Sequence, residues 1–255
     1  MSTTTVKKKM NKSHIAIPVI LVAAVVITAL LIKPIRAVIA INGMKPLATG
    51  EVITDVFTVN NAFVNIYLYK SGGGYIMFDA GSDEKATKAA LTELNISEND
   101  VSAIFLTHTD YDHVAAMPLF SSADVYMAAS NVDFLQTREG KSRSKVFLDI
   151  GRTYSILTDG ETVTVNGAEI QCIFTPGHTP GSVSYIVNGS LLFTGDNLSL
   201  KNGKATLFND VFNMDNESQK QSLRKLAALV GIDYVFTMHM GYTDDFKTTF
   251  AEWSK

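Results

Sequence analysis

Short apolar runs that stop at polar residues recur between residues 51 and 243. Such runs end at Phe78, Leu106, Phe174, Phe193 and Met238. A short apolar run bounded by polar residues is typical of a buried strand. Apolar residues at helical spacing in 83–94 and 215–229 predict helices, with Asp215 as the N-cap of the second. The pattern therefore predicts an α/β fold.

The predicted strands fall into two groups. The first group covers 52–59, 62–69, 75–78, 101–106 and 123–128, with the helix 83–94 between strands and a short helix over 114–120. The second group covers 154–157, 161–165, 169–174, 182–187 and 190–193. Turn pairs separate the strands of the second group: Asp159-Gly160, Asn166-Gly167 and Asn188-Gly189. We expect the second group to form a second sheet.

The N-terminal segment differs from the rest of the chain. Residues 1–14 are polar and lysine-rich, residues 15–32 are apolar and uncharged, and residues 33–50 resemble a linker. The competing interpretation is a cleaved signal peptide. We favour an uncleaved single-pass membrane anchor over 15–32, because the apolar stretch exceeds a usual signal core. The four lysines before it outnumber the two basic residues directly after it, which predicts a cytoplasmic N-terminus and an extracytoplasmic domain at 51–255.

Composition limits the architecture and the partners. The chain has 255 residues, enough for one domain with a large core plus an appendage. Its one cysteine, Cys172, lies in an apolar run, so we expect it to be a buried strand residue. Residues 1–50 hold seven basic residues and no acidic one, so the remainder has 15 basic against 25 acidic residues, a net charge of −10. This acidic balance disfavours nucleic acid as a partner.

Four potential metal ligands follow the run 101–106 within six residues. They are His108, Asp110, Asp112 and His113. Alternate side chains of an extended segment share a face, so His108 and Asp110 can point the same way, and a turn can bring the next two back towards them. Four ligands at this spacing can hold more than one ion.

Further candidate ligands also stand directly behind apolar runs. They are His178 after Gly177, Asp196 after Gly195, and His239 after the run 234–238. The chain has only five histidines, and four of them occupy such places. A single histidine there is often an ordinary buried residue, but that explanation would have to hold four times. Clusters of histidines and carboxylates at strand ends are typical of metal sites.

These ordered motifs resemble the metallo-β-lactamase-fold hydrolase superfamily, including its glyoxalase II and lactonase-like members. The resemblance rests on His-x-Asp-x-Asp-His at 108–113, Gly177-His178, Gly195-Asp196 and His239 before Gly241, with Asp79-Ala80-Gly81 as a further turn. It covers about residues 51–243. It implies an α/β four-layer αββα sandwich, which the N-terminal transmembrane helix would precede. It says little about the substrate, because the superfamily includes thioesterases, lactonases, β-lactamases, phosphodiesterases and nucleases.

The resemblance also implies a ligand set for two divalent ions. His108, Asp110 and His178 would hold one ion, Asp112, His113 and His239 would hold the other, and Asp196 would bridge them. Asp110 departs from the family, whose commonest pattern has histidine there. Three carboxylates and a bridging hydroxide would balance two divalent ions. We expect zinc first, with manganese or iron as competitors because of the added oxygen ligand. A similar variant occurs in the nuclease-like domains of bacterial DNA-uptake channels.

Three functions follow as hypotheses. The first is a membrane-anchored hydrolase of a small ester, thioester, lactone or β-lactam, in which a metal-bridging hydroxide attacks the carbonyl and Asp112 and Asp196 act catalytically. The second is a phosphodiesterase or nuclease. The third is a metal-binding domain without turnover. Two features stay open: the basic cluster at 138–145 is either a solvated loop or a substrate-facing cap that prefers anions, and Phe208 and Phe212 either pack in the core or line a pocket.

Overall fold

The computed structural model describes residue 32 and residues 34–144 and 153–254. Residues 34–42 form helix α1, which belongs to a unit that ends at Asn42; residues 43–255 form the second, larger unit. The predicted transmembrane segment lies outside the described residues except for Ile32 and remains a prediction. Within the part of the chain that the structure describes, no helix combines the length and apolar character needed to cross a membrane.

Seven strands form the first sheet, in sequence order from β1 to β7. Their bounds are Gly50–Ile53, Val56–Asn61, Val64–Ser71, Gly74–Phe78, Val101–Phe105, Asp124–Ala128 and Tyr154–Leu157. Strands β1 to β4 pair antiparallel, whereas β4 to β7 run parallel. A parallel pair requires a crossover connection. Helix α2, Glu84–Glu93, lies in the first crossover, and the ligand-rich loop lies in the second.

The second sheet has six strands in the order β15-β14-β11-β10-β9-β8. Strands β12 and β13 pair separately from this sheet. The bounds of β8 to β15, in order, are Thr162–Val165, Ala168–Phe174, Val183–Val187, Leu191–Phe193, Ser199–Lys201, Lys204–Thr206, Tyr234–Thr237 and Gly241–Thr243. The parallel contact is β11 with β14; the other pairs are antiparallel. Both parallel strands therefore end at the same edge, where Asp196 and His239 follow them.

Helices lie on both outer faces of the sheet pair. After α2 they are α3 Tyr111–Val114, α4 Ala129–Gln136, α5 Arg138–Ser144, α6 Asn216–Ala227 and α7 Phe246–Phe250. Asp215 caps α6 through its side chain, as predicted, because its carboxylate accepts hydrogen bonds from the backbone N–H groups of Glu217 and Ser218.

Three apolar clusters show the layering. Phe78, Phe105, Tyr185, Phe193 and Phe236 lie in the cluster shared by the two sheets. A second cluster joins the first sheet to α2 and the segments around α3, and a third joins the second sheet to α6 and α7. The described fold is thus a four-layer αββα sandwich, which confirms the predicted fold of the domain.

Several predicted elements have different bounds. The stretch 52–59 is two strands rather than one, because Asp55 at φ 65° reverses the chain between β1 and β2. The helix expected over 114–120 is instead α3 followed by a short 3₁₀ turn, Met117–Leu119. Strand β7 belongs to the first sheet and not to the second, since it pairs in parallel with β6. Cys172 is buried, as predicted, and burial raises the pKa of its thiol to about 12.

Candidate metal centre

The loop after β5 is fixed by buried hydrogen bonds before it presents its ligands. Asp79 accepts hydrogen bonds from the backbone N–H and the hydroxyl of Thr107, both at 2.7 Å. The hydroxyl of Tyr185, from the second sheet, donates to the carbonyl of Leu106 at 2.9 Å. His108 and Asp110 follow in this loop. Because both sheets anchor it, the loop is a rigid support for ligands.

The other candidate ligands come from four further places in the chain. Asp112 and His113 lie on α3, His178 follows β9, Asp196 follows β11 and His239 follows β14. Gly195 allows the Asp196 loop to approach Thr107: its φ is +57°, and a Cβ atom there would lie 2.5 Å from Oγ1 of Thr107. The structure therefore brings together all seven residues that the sequence singled out.

Asp196 lies between two groups of histidines. Its Oδ1 is 3.2 Å from Nε2 of His239 and 3.6 Å from Nε2 of His113. Its Oδ2 is 3.5 Å from Nε2 of His178 and 3.9 Å from Nε2 of His108. One carboxylate oxygen thus faces each group, which is the placement expected of a bridging ligand.

Each group includes a further carboxylate. Asp112 Oδ2 is 3.5 Å from Nε2 of His113 and 3.6 Å from Nε2 of His239. Asp110 Oδ2 is 3.2 Å from Nε2 of His178 and 3.8 Å from Nε2 of His108. We refer to Asp112, His113 and His239 as site A, and to His108, Asp110 and His178 as site B; Asp196 faces both.

The four histidines are held by their Nδ1 atoms and turn their Nε2 atoms inwards. The Nδ1 contacts are His113 to Asp79 at 2.8 Å, His239 to the carbonyl of Phe63 at 2.7 Å, His108 to Thr107 at 3.1 Å and His178 to Asn213 at 3.3 Å. Partners of this kind fix the ring orientation and the tautomer of a metal-ligating histidine. The arrangement leaves each Nε2 atom directed at the centre.

Buried atoms without partners show that the residues fit a cation. Nε2 of His108, His113 and His239 and Oδ1 of Asp196 have no hydrogen-bond partner among residues 34–144 and 153–254. A buried polar atom without a partner is costly, so such atoms are normally satisfied by a ligand or a hydrogen bond. Site A, and the set of His108, His178 and Asp196, each place their ligand atoms within 4.8 Å of one another. A divalent ion would satisfy these atoms.

Arg143 reaches site B from α5. Its Nε donates to Oδ1 of Asp110 at 2.8 Å, and its Nη2 pairs with Oδ2 of the same carboxylate. Nη2 also lies 3.3 Å from Nε2 of His178 and donates to the carbonyl of Phe212 at 3.3 Å. The segment that supplies this guanidinium is the basic cluster of the sequence. One member of that cluster therefore faces the centre, whereas Arg138 and Lys141 are exposed.

Burial and nearby charges shift the pKa values of the ligands in opposite directions. Burial alone would lower the pKa of His113, but the carboxylates of Asp196, Asp112 and Asp79 outweigh it and raise that pKa well above its usual value. Burial would also lower the pKa of His239, but Asp196 and Asp112 outweigh it and raise that pKa. Burial lowers the pKa of His108 well below its usual value, and the neighbouring histidines add to this effect.

These shifts predict how the metal-free protein responds to pH. The stabilisation from His113 and His239 is complete below the unfolded histidine pKa of about 6.5 and is lost as the pH rises through their raised folded values. His108 does not change the pH dependence of stability above that pH, because it is neutral in both the folded and the unfolded state. We expect the melting temperature in chelator to fall between about pH 6.5 and 8, a window below the unfolded cysteine pKa of about 8.5.

Differential scanning fluorimetry with chelator and with added Zn²⁺ checks this prediction. Metal binds the neutral histidines, so its stabilising effect should grow over the same pH window. A chelated protein whose melting temperature rises between these pH values would contradict the assigned shifts.

The centre lies inside a region matched by one family model, that of the metallo-beta-lactamase superfamily, over residues 59–239. The match runs from β2 to His239 and includes all seven candidate ligands. The chain belongs to the metallo-beta-lactamase superfamily. The resemblance drawn from the sequence motifs is thereby confirmed.

Individual relatives agree with this assignment. A probable polyketide biosynthesis zinc-dependent hydrolase, BaeB, from Bacillus velezensis is 40% identical over 109 residues, 42% of this chain and 41% of that protein. An atrochrysone carboxyl ACP thioesterase from Aspergillus fumigatus is 23% identical over 167 residues, 65% of this chain and 47% of that protein. The chain thus spans less than half the length of each of these relatives. The similarity to the zinc-dependent relative supports a divalent metal cofactor.

A solved structure supports the fold. A metallo-beta-lactamase family protein from Thermus thermophilus superposes with a TM-score of 0.61 at 22% identity, covering 79% of this chain and 78% of that one.

Two features of the site were not assigned from the sequence. In the sequence Asp79 is recognisable only as part of a turn, because its hydrogen bonds to Thr107 and His113 require the β4–β5 pairing. Arg143 is one of several basic residues in its segment, and sequence alone does not show which of them turns inwards.

Proposed function

We propose that this protein hydrolyses a small carbonyl substrate, an ester, thioester, lactone or β-lactam, at its metal centre, and that thioesters are its preferred class. The observation that carries the proposal is the set of inward-facing atoms without partners, His113 Nε2, His239 Nε2 and Asp196 Oδ1. Zinc is the ion that we propose first, in line with the zinc-dependent relative. A bound divalent ion would lower the pKa of a water molecule and polarise a carbonyl oxygen.

The protein residues have separable roles in this proposal. Asp79 and the carbonyl of Phe63 hold the rings of His113 and His239, so that their Nε2 atoms stay directed at the ion. The side chain of Asp112 is 22% exposed, whereas that of Asp196 is 4% exposed. We assign Asp112 to orient the attacking water and to accept its proton at Oδ1, the oxygen that does not face His113 and His239, because its side chain is the more exposed of the two.

Aromatic rings beside the centre support an acyl substrate. Phe208 lies edge-on to His178, with 5.1 Å between ring centroids, and 5.5 Å from His239. Phe63 stacks on His239 at 5.9 Å, and Phe212 lies 6.2 Å from Phe208. Phe208 is buried while Phe63 and Phe212 are partly exposed, so the last two offer apolar surface next to the reactive position. A thioester's acyl chain matches such a wall, and one relative is named as a thioesterase.

The phosphodiesterase and nuclease alternative has weaker support. The net charge of −10 after residue 50 repels a polyanion. Arg143 would be a natural phosphate contact, but Asp110 already pairs with two of its nitrogen atoms.

A parallel assay of acyl and phosphoryl substrates tests the proposal. The purified full-length chain is supplied with Zn²⁺ or Mn²⁺ and given an acyl thioester, an aryl ester, a lactone, a β-lactam and an aryl phosphodiester. We expect turnover of the carbonyl compounds, with the thioester giving the highest kcat/KM. Cleavage confined to the phosphodiester would contradict the proposal and support the nuclease-like function. Metal binding without any turnover would support a non-catalytic domain.

The membrane location is a second part of the proposal. The uncharged apolar stretch 15–32 supports an anchor, with the lysine-rich N-terminus in the cytoplasm and the catalytic domain outside. We expect the full-length chain to remain in the membrane fraction after an alkaline carbonate wash, and to be digested by protease added outside intact spheroplasts. Release by the wash would contradict the anchor.

A further inference from the structure

Sites A and B differ in what already satisfies their ligand atoms. In site A, Nε2 of His113 and of His239 have no hydrogen-bond partner in the described chain. In site B, both oxygens of Asp110 pair with Arg143, and Nε2 of His178 lies 3.3 Å from the same guanidinium. Nε2 of His108 is the site B atom that stays without a partner among the described residues. A positive charge from the protein therefore lies beside Asp110 and His178, two of the three residues that would hold an ion in site B.

The contacts of Arg143 indicate a fixed position. Its side chain is 23% exposed, and that of Asp110 is 12% exposed. Two parallel contacts to one carboxylate form the bidentate geometry that guanidinium groups favour, and the carbonyl of Phe212 accepts a further hydrogen bond. Arginine stays protonated in proteins, so its charge does not disappear with pH. An ion that uses Asp110 as a ligand would have to displace this group or share its carboxylate. An ion held by His108, His178 and Asp196 would still lie beside the guanidinium, which is 3.3 Å from Nε2 of His178.

The charges that face the centre include one positive charge that the protein itself supplies. Asp110, Asp112 and Asp196 carry three negative charges, and Arg143 offsets one of them through its contacts to Asp110. An ion in site B would therefore lie beside this fixed positive charge as well as beside the ion in site A. Like charges in so small a buried region repel strongly because water screens them poorly.

We propose that Arg143 takes the place of the second metal ion, so that the chain binds one divalent ion, in site A. Asp112, His113 and His239 hold that ion together with Oδ1 of Asp196. The guanidinium pairs with Asp110 and leaves the ion in site A as the single Lewis acid. This inference rests on the metal centre of the proposed function but predicts a quantity that is independent of turnover, the number of ions bound.

Metal counting on purified full-length protein tests the proposal. Wild type, Arg143→Ala, Arg143→Lys and Arg138→Ala are dialysed to equilibrium against the same buffered free Zn²⁺ concentration, and zinc and protein are measured by mass spectrometry. We expect one equivalent of zinc in wild type and two in Arg143→Ala. Arg143→Lys, which keeps a positive charge, should stay near one. Arg138→Ala removes an exposed arginine of the same helix and should match wild type.

The outcomes separate this inference from the proposed function. Two equivalents in wild type, with metal-dependent hydrolysis intact, would overturn the role of Arg143 and leave the hydrolase assignment standing. One equivalent in both wild type and a folded Arg143→Ala protein would also overturn it, because site B would then stay empty for another reason. No bound metal in wild type would overturn both conclusions.

Discussion

Replacing Asp196 with Ala or Asn is expected to lower kcat/KM for the preferred acyl substrate by about 100- to 1,000-fold, an effect typical of losing a main electrostatic contact in an active site. Asp196 offers one oxygen to each group of histidines, at 3.2 Å from His239 and 3.5 Å from His178. Its loss removes a ligand oxygen from site A and a negative charge from the centre. Initial rates under saturating Zn²⁺ provide the measurement.

The two Asp196 variants separate charge from shape. Asp196→Asn keeps the volume and one oxygen but lacks the charge, so it should lose most of the activity while retaining the circular dichroism spectrum of the wild type. Asp233→Asn removes an exposed charge and serves as the matched control. If Asp196→Ala hydrolyses as fast as wild type, the position of Asp196 between the two sites has no catalytic meaning.

Replacing Asp79 with Ala is expected to have the largest effect on stability. The substitution leaves three buried donors without an acceptor: the backbone N–H and the hydroxyl of Thr107, and Nδ1 of His113. Each unsatisfied buried group costs about 1–3 kcal/mol, so we expect the free energy of unfolding to fall by about 3 kcal/mol or more. Metal affinity should fall by about 10- to 100-fold because the His113 ring loses its orienting partner.

Denaturant unfolding in chelator and Zn²⁺ titration measure the two effects of Asp79 separately. Asp79→Asn keeps one acceptor oxygen and should lie between Asp79→Ala and wild type in both measurements. An Asp79→Ala protein with wild-type stability and wild-type zinc affinity would show that the hydrogen bonds of Asp79 do not support the centre.

The sequence alone predicted most of the fold and the candidate ligands that the structure brings together, for a physical reason. Apolar runs that stop at a histidine or an aspartate record where buried strands end, and parallel strands end at a common edge. His108, Asp196 and His239 were found in this way. Turns that depend on backbone conformation were harder to place. Asp55, with φ 65°, divides the predicted strand 52–59 into two strands, and an aspartate is a weaker signal of such a turn than a glycine.

Contacts between distant segments were the part that the sequence did not provide. Arg143 and Asp110 are 33 residues apart, and Asp79 and His113 are 34 apart. Local periodicity carries no information about which arginine of a basic cluster turns inwards, or which aspartate of a turn supports a histidine. The assignment of Asp110 as a metal ligand stays a prediction. Its pairing with Arg143 gives this carboxylate a second possible role, that of holding the guanidinium.

Chelation and metal add-back on a thioester substrate test the central claim most directly. The full-length chain is stripped with chelator, assayed for thioester hydrolysis, and assayed again as Zn²⁺ is added stepwise. We predict that hydrolysis falls to the uncatalysed rate after stripping and returns with added zinc, and that Asp196→Asn does not recover. Hydrolysis that continues unchanged in the stripped protein would contradict a metal-dependent mechanism at this centre.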